Sequence, residues 1–107
     1  MKRFVLSPEA AHDLSDIGDY IAEDSLDAAD RFLGKLHDQI LALAQTPGMG
    51  HRREDLAEDR PVLFWPVGSY LILYAATKGF IEIVAVAHGK RDIPAFIRRR
   101  GIAATHP

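Results

Sequence analysis

The spacing of apolar residues changes once along this chain, from a helical period to a strand-like one. In residues 10–21 and again in residues 29–43, apolar side chains recur every three or four positions with polar residues between them. That spacing puts the apolar side chains on one face and predicts two amphipathic helices. Beyond residue 61 the apolar residues cluster in residues 62–65, 70–76 and 80–87, which predict three strands.

Residues with strong positional preferences mark where the two helices begin and end. Residues 7–9, Ser-Pro-Glu, combine an N-cap serine, a proline suited to the first helical position and an acid in the first turn. The first helix should end near Glu23, and Ser25 can cap the second. Residues 46–48, Thr-Pro-Gly, stop the second helix. Because the link between them is short, the two helices should form an antiparallel hairpin.

The remaining segments complete the predicted order of elements. Residues 4–6 are a short apolar run and predict a first strand. Residues 48–61 are polar and contain glycine, so we expect a loop there. Glycine-bearing turns at residues 66–69 and 77–79 should join the three later strands as hairpins. The C-terminal stretch 92–101 predicts one or two helical turns that stop at its final glycine.

This order predicts a single α+β domain of two layers over residues 1–107. An N-terminal strand comes first, an antiparallel helical hairpin follows, and an antiparallel three-stranded meander ends the fold, with the helices on one face of the sheet. A chain of 107 residues can bury one core but not two. Within this domain, residues 88–101 form a basic C-terminal segment.

The predicted sheet has apolar residues on both faces, and the two helices alone cannot cover both. Residues 70–76 and 81–87 lack the apolar–polar alternation of a half-exposed strand, so both faces of the sheet should be covered. Two helices cover only one face. We expect the C-terminal segment to cover part of the other face and a partner chain to cover the rest, because an open apolar patch usually marks an interaction surface.

Composition excludes several classes of protein and site. The chain has no cysteine, which excludes disulfides and cysteine-ligated metals. The start of the chain lacks the apolar stretch of a secretory leader, and no apolar run reaches membrane-spanning length, so a cytoplasmic protein without membrane contact is expected. His12 and Asp16 lie one helical turn apart, but without a third ligand at useful spacing we expect no metal and no cofactor.

Charge is unevenly distributed along the chain. Residues 9–38 carry nine acidic side chains against two basic ones, whereas residues 88–100 carry five basic side chains against one acidic. The acidic region argues against direct sequence-specific nucleic-acid binding, and the basic region is suited to directed recognition. Both basic motifs also have a purely structural interpretation. His88-Gly89 suits a strand end, and arginines at 98–100 suit a helix C-terminus.

The chain resembles the ParE/RelE superfamily, the toxin halves of type II toxin–antitoxin pairs. The resemblance runs from Phe4 to Arg100 and depends on the order and spacing of four motifs. The motifs are "LSPEAAHDLSDIGDYIAE", "SLDAADRFLGKLHDQILALAQTPGMG", "FWPVGSYLILY" and "IEIVAVAHGKRDI".

The ParE-like branch fits the residues best, and the resemblance implies a toxin that binds DNA gyrase and is neutralised by a ParD-like antitoxin in a hetero-oligomer. The basic C-terminal segment is the candidate surface for the target. Its candidate contacts are His88, Lys90, Arg91, Arg98, Arg99 and Arg100. The candidate contacts for the antitoxin are Trp65, Tyr70, Ile72 and Tyr74.

Two alternatives to this function stay open at the level of sequence. RelE-like members are ribosome-dependent mRNA endoribonucleases, and that chemistry needs a base, an acid and cations at the scissile phosphate. Here only His88, Lys90, Arg91 and Tyr74 offer a reduced set, and Glu82 lies roughly 20 Å from His88 along one strand. We therefore predict no catalytic residue. The other alternative is a non-toxic module that keeps the fold and the affinity for an antitoxin.

Overall fold

The computed structural model describes residues 3–58 and 60–102. The elements follow one another as β1 (Arg3–Leu6), α1 (Pro8–Ala22), α2 (Leu26–Gln45), a 3-10 turn (Pro47–Met49), β2 (His51–Arg52), α3 (Glu54–Ala57), β3 (Leu63–Val67), β4 (Tyr70–Thr77), β5 (Phe80–His88) and α4 (Ile93–Arg100). The predicted first strand, helical hairpin and three-stranded meander are all present. The prediction of a loop over residues 48–61 is wrong in part, because this segment also contains β2, α3 and the end of the 3-10 turn.

The five strands form one sheet in the order β1-β5-β4-β3-β2. The three long strands pair antiparallel as the predicted meander. β1 adds to the outer edge of β5 in parallel orientation, with Leu6 opposite Ile83. Because β1 is only four residues long, the outer edge of β5 beyond Ile83 has no strand beside it among the described residues.

Both long helices begin where the sequence places their caps. The Ser7 side chain accepts a hydrogen bond from the Ala10 N–H at 3.0 Å, and Pro8 occupies the first turn of α1. The Ser25 side chain accepts one from the Ala28 N–H at 3.1 Å at the start of α2. Each contact satisfies an N–H that has no partner inside the helix.

The helical hairpin packs on one face of the sheet and forms the larger core. Leu36, Ile40 and Leu43 of α2 are at most 2% exposed and belong to the same cluster as Ile72 and Ile83 of the sheet. The predicted amphipathic stripes thus face the sheet, as burial of apolar area requires.

A β-bulge in β5 changes which positions of the strand face the helical hairpin. Leu73 pairs with Ala85 and Tyr74 pairs with Ile83, which leaves Val84 as an extra residue. Before the bulge the odd-numbered Ile83 faces the helical hairpin, and after it the even-numbered Val86 does. A bulge shifts the side-chain phase of a strand by one residue, so one face takes both odd and even positions.

The second face of the sheet is covered by the chain itself over β3 and the adjoining parts of β4 and β5. Ile93, Phe96 and Ile97 of α4 are buried there, and Ala57 of α3 belongs to the same cluster. The opposing sheet residues are Phe64, Leu73, Ala85 and Ala87. The partial cover by the C-terminal segment is confirmed. The two short helices bury this part of the sheet without a partner chain, and the expectation that a partner covers the rest of the face stays a prediction.

Candidate functional site

The basic segment begins where β5 ends. His88 is the last residue of β5, and its Nδ1 accepts a hydrogen bond from the Lys90 N–H at 3.1 Å. The ring meets Tyr70 of β4 edge-on with centroids 5.0 Å apart. These contacts account for the structural role of His88 at a strand end, and its contact with a target stays a prediction.

The next residues turn the chain away from the sheet and into α4. The Gly89 N–H donates to the Ser69 carbonyl at 2.8 Å, which fixes the end of β5 to the β3–β4 turn. The Asp92 side chain then accepts from the Ala95 N–H at 3.1 Å and caps α4. Lys90 and Arg91 are exposed between these two fixed points. The local structure therefore presents two cations on a short, anchored turn.

The arginines of α4 divide into two environments. Arg98 and Arg99 are exposed, whereas Arg100 turns back against the protein. The guanidinium carbons of Arg91 and Arg100 each lie 4.5 Å from the centroid of the Phe96 ring, within the range of a cation–π contact. At the end of the helix Gly101 adopts a left-handed φ of 69°, which ends α4 as the sequence predicts.

Asp13 of α1 joins Arg100 to the unpaired edge of β5. Its carboxylate accepts two hydrogen bonds from the Arg100 guanidinium, at 2.9 and 3.2 Å, and one from the Val86 N–H at 3.0 Å. The Ser7 hydroxyl donates to the Val84 carbonyl at 3.3 Å nearby. These two side chains satisfy backbone groups of β5 past the point where β1 ends. Sequence reasoning missed Asp13 because its partners are more than 70 positions away.

The four residues predicted to contact an antitoxin lie in two different environments. Ile72 and Tyr74 are 0% exposed, so the structure removes them as contact residues, since both side chains are enclosed in the core. Tyr70 and Trp65 are half-buried. The indole N–H of Trp65 donates to the Gln39 side-chain oxygen at 2.8 Å. Tyr70 and Trp65 keep accessible surface and stay candidates.

Tyr74 holds the segment after α2 against the sheet. Its hydroxyl donates to the Pro47 carbonyl at 2.6 Å and accepts from the Gly50 N–H at 2.9 Å. Burial raises the pKa of the Tyr74 phenol, while the hydrogen bond from Gly50 opposes that rise. The Tyr74 hydroxyl thus both donates and accepts a hydrogen bond inside the protein, and its role is structural.

Neither Glu82 nor Tyr74 lies close to His88, the histidine considered for a ribonuclease site. Glu82 and His88 lie on opposite faces of the sheet, because the bulge at Val84 separates them and reverses the side-chain phase. Tyr70, not Tyr74, is the residue opposite His88, and Tyr74 is four residues farther along β4, or about 13 Å. No proton transfer between these groups is possible at such separations.

A pocket lies between the helical hairpin and β1, and we call it the hairpin pocket. Its volume is about 310 Å³. Its walls are Phe4 and Leu6 of β1, Leu14 and Ser15 of α1, and Leu33, Leu36, His37 and Ile40 of α2. Because nearly all of these side chains are apolar, the pocket suits an apolar group from another molecule.

Potential metal ligands and long apolar helices can be located among the described residues. No cluster of three or more potential metal-ligating side chains occurs among residues 3–58 and 60–102, and His12 and Asp16 line an open cleft beside Arg100. None of the helices in the described part of the chain combines the length and hydrophobicity that a membrane span requires.

Comparison with known proteins identifies the family. A family model described as the ParE toxin of the type II toxin–antitoxin system parDE matches residues 4–93, which include both long helices and all of the sheet except Arg3. The chain belongs to the ParE toxin family. The resemblance inferred from the sequence is thereby confirmed, including its ParE-like branch. The match ends at Ile93, so the arginines at the end of α4 lie beyond it.

A solved structure shares the fold of this ParE-family toxin. It is described as a chromosomal ParDE toxin–antitoxin system from P. aeruginosa, and it aligns with a TM-score of 0.68 over 82% of this chain and 96% of that one. At 20% sequence identity, the likeness concerns the fold alone. None of the curated proteins compared matches the chain.

Proposed function

We propose that this ParE-family toxin acts by binding DNA gyrase through its basic C-terminal segment, and that a ParD-like antitoxin neutralises it. The observation that carries the proposal is the family match over residues 4–93, which includes the anchored turn with Lys90 and Arg91. Binding of this kind needs a surface that a partner can reach rather than a set of converging catalytic groups.

The exposed cations of the segment support its role in recognition. Lys90, Arg91, Arg98 and Arg99 all face solvent, and none of them forms a salt bridge with another described residue. Unpaired cations at one end of a domain steer and orient an acidic partner. His88 is half-buried beside them. Arg100 differs, because its pairing with Asp13 makes it a positioning residue for α4.

The nuclease alternative has less support from the geometry. Glu82 and His88 point to opposite faces, and the Tyr74 hydroxyl is committed to Pro47 and Gly50. A metal-free cleavage of RNA would need an acid and a base within hydrogen-bond reach of one phosphate. Glu82, His88 and Tyr74 do not come within that distance of one common point.

The hairpin pocket is the surface that best suits the antitoxin. An antitoxin of a type II system is a protein, and an amphipathic segment of it can place an apolar side chain between α1, α2 and β1. The pocket lies beside β1, where Val5 is 48% exposed. Tyr70 and Trp65 contact Phe32 and Gln39 of α2, so these predicted contacts adjoin the same helix.

A gyrase assay tests the proposed target directly. Purified toxin should inhibit supercoiling of relaxed plasmid by gyrase and increase cleaved DNA, and addition of the antitoxin should reverse both effects. A translation extract supplied with the same protein should show no codon-dependent cleavage of mRNA. Cleavage of mRNA without any effect on gyrase would overturn the proposal in favour of the nuclease. Absence of both effects, with soluble folded protein, would favour the non-toxic module.

The antitoxin surface has its own test. Ser15 is exposed at the rim of the hairpin pocket, so Ser15→Trp should obstruct the pocket without entering the core. We expect this variant to weaken antitoxin binding about tenfold or more while gyrase inhibition is retained. Lys35→Trp is the control, because Lys35 is exposed on α2 and does not line the pocket. If Ser15→Trp and Lys35→Trp bind the antitoxin with the same affinity, the antitoxin does not bind at the hairpin pocket.

A further inference from the structure

A second pocket lies on the outer side of α4, and we call it the arginine pocket. Its volume is about 280 Å³, and it is lined by Arg91, Phe96, Arg99 and Arg100. The lining contains three guanidinium groups, an aromatic ring and no carboxylate. A pocket with this lining has the chemistry of an anion site.

The floor of the arginine pocket holds two of the guanidinium groups in place. Phe96 is 2% exposed and is packed in the core, so its ring is a rigid surface. Arg91 and Arg100 both lie 4.5 Å from the centre of that ring. Their guanidinium carbons are therefore no farther apart than twice this distance. Because Nη1 and Nη2 of Arg100 donate to Asp13, Arg91 is the member of this pair whose N–H groups remain available to a ligand.

The charge of the arginine pocket is not neutralised by the surrounding protein. Arg100 is paired with Asp13, but neither Arg91 nor Arg99 forms a salt bridge with another described residue. The two guanidinium groups thus contribute a local charge of about +2, since an arginine remains protonated at any ordinary pH. Arg100 forms part of the pocket wall but adds no net charge, because Asp13 neutralises it.

We infer that the arginine pocket binds a phosphate group of a nucleic-acid backbone. The oxygens of a carboxylate lie in one plane and pair best with the edge of a single guanidinium, whereas the oxygens of a phosphate diverge from a tetrahedral centre and suit donors that approach from different directions. The acidic side of α1 lies next to Arg100, with Glu9 and Asp16 lining the adjoining cleft. Those carboxylates repel neighbouring phosphates, so the pocket contacts one phosphate locally rather than a long run of backbone.

This inference concerns the same C-terminal segment as the proposed function but depends only on the arginine pocket. The toxin can bind phosphate whether or not gyrase is its target, and it can inhibit gyrase through protein contacts alone. The test therefore uses phosphate itself. If the chain does not bind phosphate, the result of the gyrase assay still stands. If the chain does not inhibit gyrase, the result of the phosphate titration still stands.

The test is a titration of the full chain, followed through the Nε–Hε resonances of its arginines by NMR. Inorganic phosphate should shift the Arg91 and Arg99 resonances saturably, and a short single-stranded oligonucleotide should compete for the same site. Arg91→Gln with Arg99→Gln should weaken both ligands about tenfold or more. Arg98→Gln is the matched control, because Arg98 is exposed on the same helix without lining the pocket, and it should change affinity less than about twofold.

Three results would overturn the inference. The first is the absence of a saturable shift with phosphate in the wild-type chain, a measurement that requires no variant. The second is an equal loss of affinity in Arg98→Gln, which indicates diffuse attraction instead of a pocket. The third is tighter binding of a glutamate-rich peptide than of an oligonucleotide with the same number of charges, which assigns the pocket to an acidic protein segment.

Discussion

Asp13 of α1 and Arg100 of α4, 87 positions apart in sequence, form a two-pronged ion pair across the free edge of β5. The Arg100 Nη2 donates to Asp13 Oδ1 at 2.9 Å, and Nη1 donates to Oδ2 at 3.2 Å. α1 lies on one face of the sheet and α4 on the other, so the pair ties the two helical layers together. The Val86 N–H donates to the same carboxylate.

The first prediction concerns the contribution of this pair to stability. Asp13→Ala leaves the Arg100 guanidinium and the Val86 N–H without their acceptor, although both are largely shielded from water. We expect a loss of about 1–3 kcal/mol in the free energy of unfolding. In a double-mutant cycle with Arg100→Ala the coupling energy should be about 1 kcal/mol or more. Urea denaturation followed by circular dichroism measures both quantities.

A second ion pair of the same chain provides the control. Arg53 and Asp55 form a similarly short contact of 2.7 Å, but their side chains are 45% and 62% exposed, against 21% and 14% for Arg100 and Asp13. Asp55→Ala should leave stability nearly unchanged, because exposed pairs are screened by water. Equal effects of the Asp13 and Asp55 substitutions would show that burial does not strengthen the Asp13–Arg100 pair.

The second prediction concerns the close fit between Gly50 and Tyr74. A β-carbon on residue 50 would overlap the Tyr74 hydroxyl and lie 2.7 Å from Cε1 of the ring. Tyr74 is buried and held by hydrogen bonds to Pro47 and Gly50, so it cannot move aside without loss. We expect Gly50→Ala to destabilise the fold by about 2 kcal/mol. Thermal unfolding measures this effect.

The matched control for Gly50 lies two residues earlier in the same segment. A β-carbon on Gly48 meets nothing within 4 Å, so Gly48→Ala should change stability by less than about 0.5 kcal/mol. If the two alanine variants unfold at the same temperature, the segment after α2 is free to shift and does not depend on contact with Tyr74.

The third prediction follows from the raised pKa of Tyr74. The folded pKa lies above the unfolded value of 10.0, so above that pH the unfolded state loses its proton while the folded state keeps it. Stability contributed by the neutral phenol is therefore complete below pH 10 and declines as pH rises through the folded pKa. The denaturation midpoint should fall more steeply from pH 9 to pH 11 in the wild type than in Tyr74→Phe. Parallel curves would contradict this assignment.

The features that the sequence predicts are those that depend on neighbours along the chain. Ser7 and Ser25 cap their helices through the residue three positions ahead, and the hydrophobic stripes of both helices follow from local period. The order of strands in the meander follows from short turns. These signals need no knowledge of the rest of the fold, and the structure confirms each of them.

The features that the sequence leaves open depend on contacts between distant segments. The bulge at Val84 depends on the register between β4 and β5, so the sequence of β5 alone does not show which of its residues face the helical hairpin. The role of α4 depends on where its apolar residues dock. The sequence predicts that the C-terminal segment covers part of the sheet, but it does not show that Ile93, Phe96 and Ile97 are the residues buried there. The role of the basic residues as a target surface stays a prediction, and the separate structural role of Arg100 depends on its pairing with Asp13.

The fourth prediction concerns the toxin's activity and starts from the position of α4 in the core. Deleting the chain after Gly89 would remove Ile93, Phe96 and Ile97 and uncover Phe64 and Leu73. We expect that truncated chain to lose its near-ultraviolet circular dichroism signal and to aggregate. Loss of toxicity after truncation would therefore reflect loss of the fold, and such a deletion cannot locate the target surface.

Side-chain substitutions at exposed cations avoid this difficulty. Lys90→Gln with Arg91→Gln removes two charges from the anchored turn, and neither side chain is buried. We expect inhibition of gyrase to weaken about tenfold or more, with the melting temperature and antitoxin affinity nearly unchanged. The control is Arg52→Gln with Arg53→Gln, which removes the same charge from the exposed segment around β2. If the control loses inhibition and the Lys90–Arg91 variant keeps it, the target binds near β2, because charge was removed equally from both surfaces.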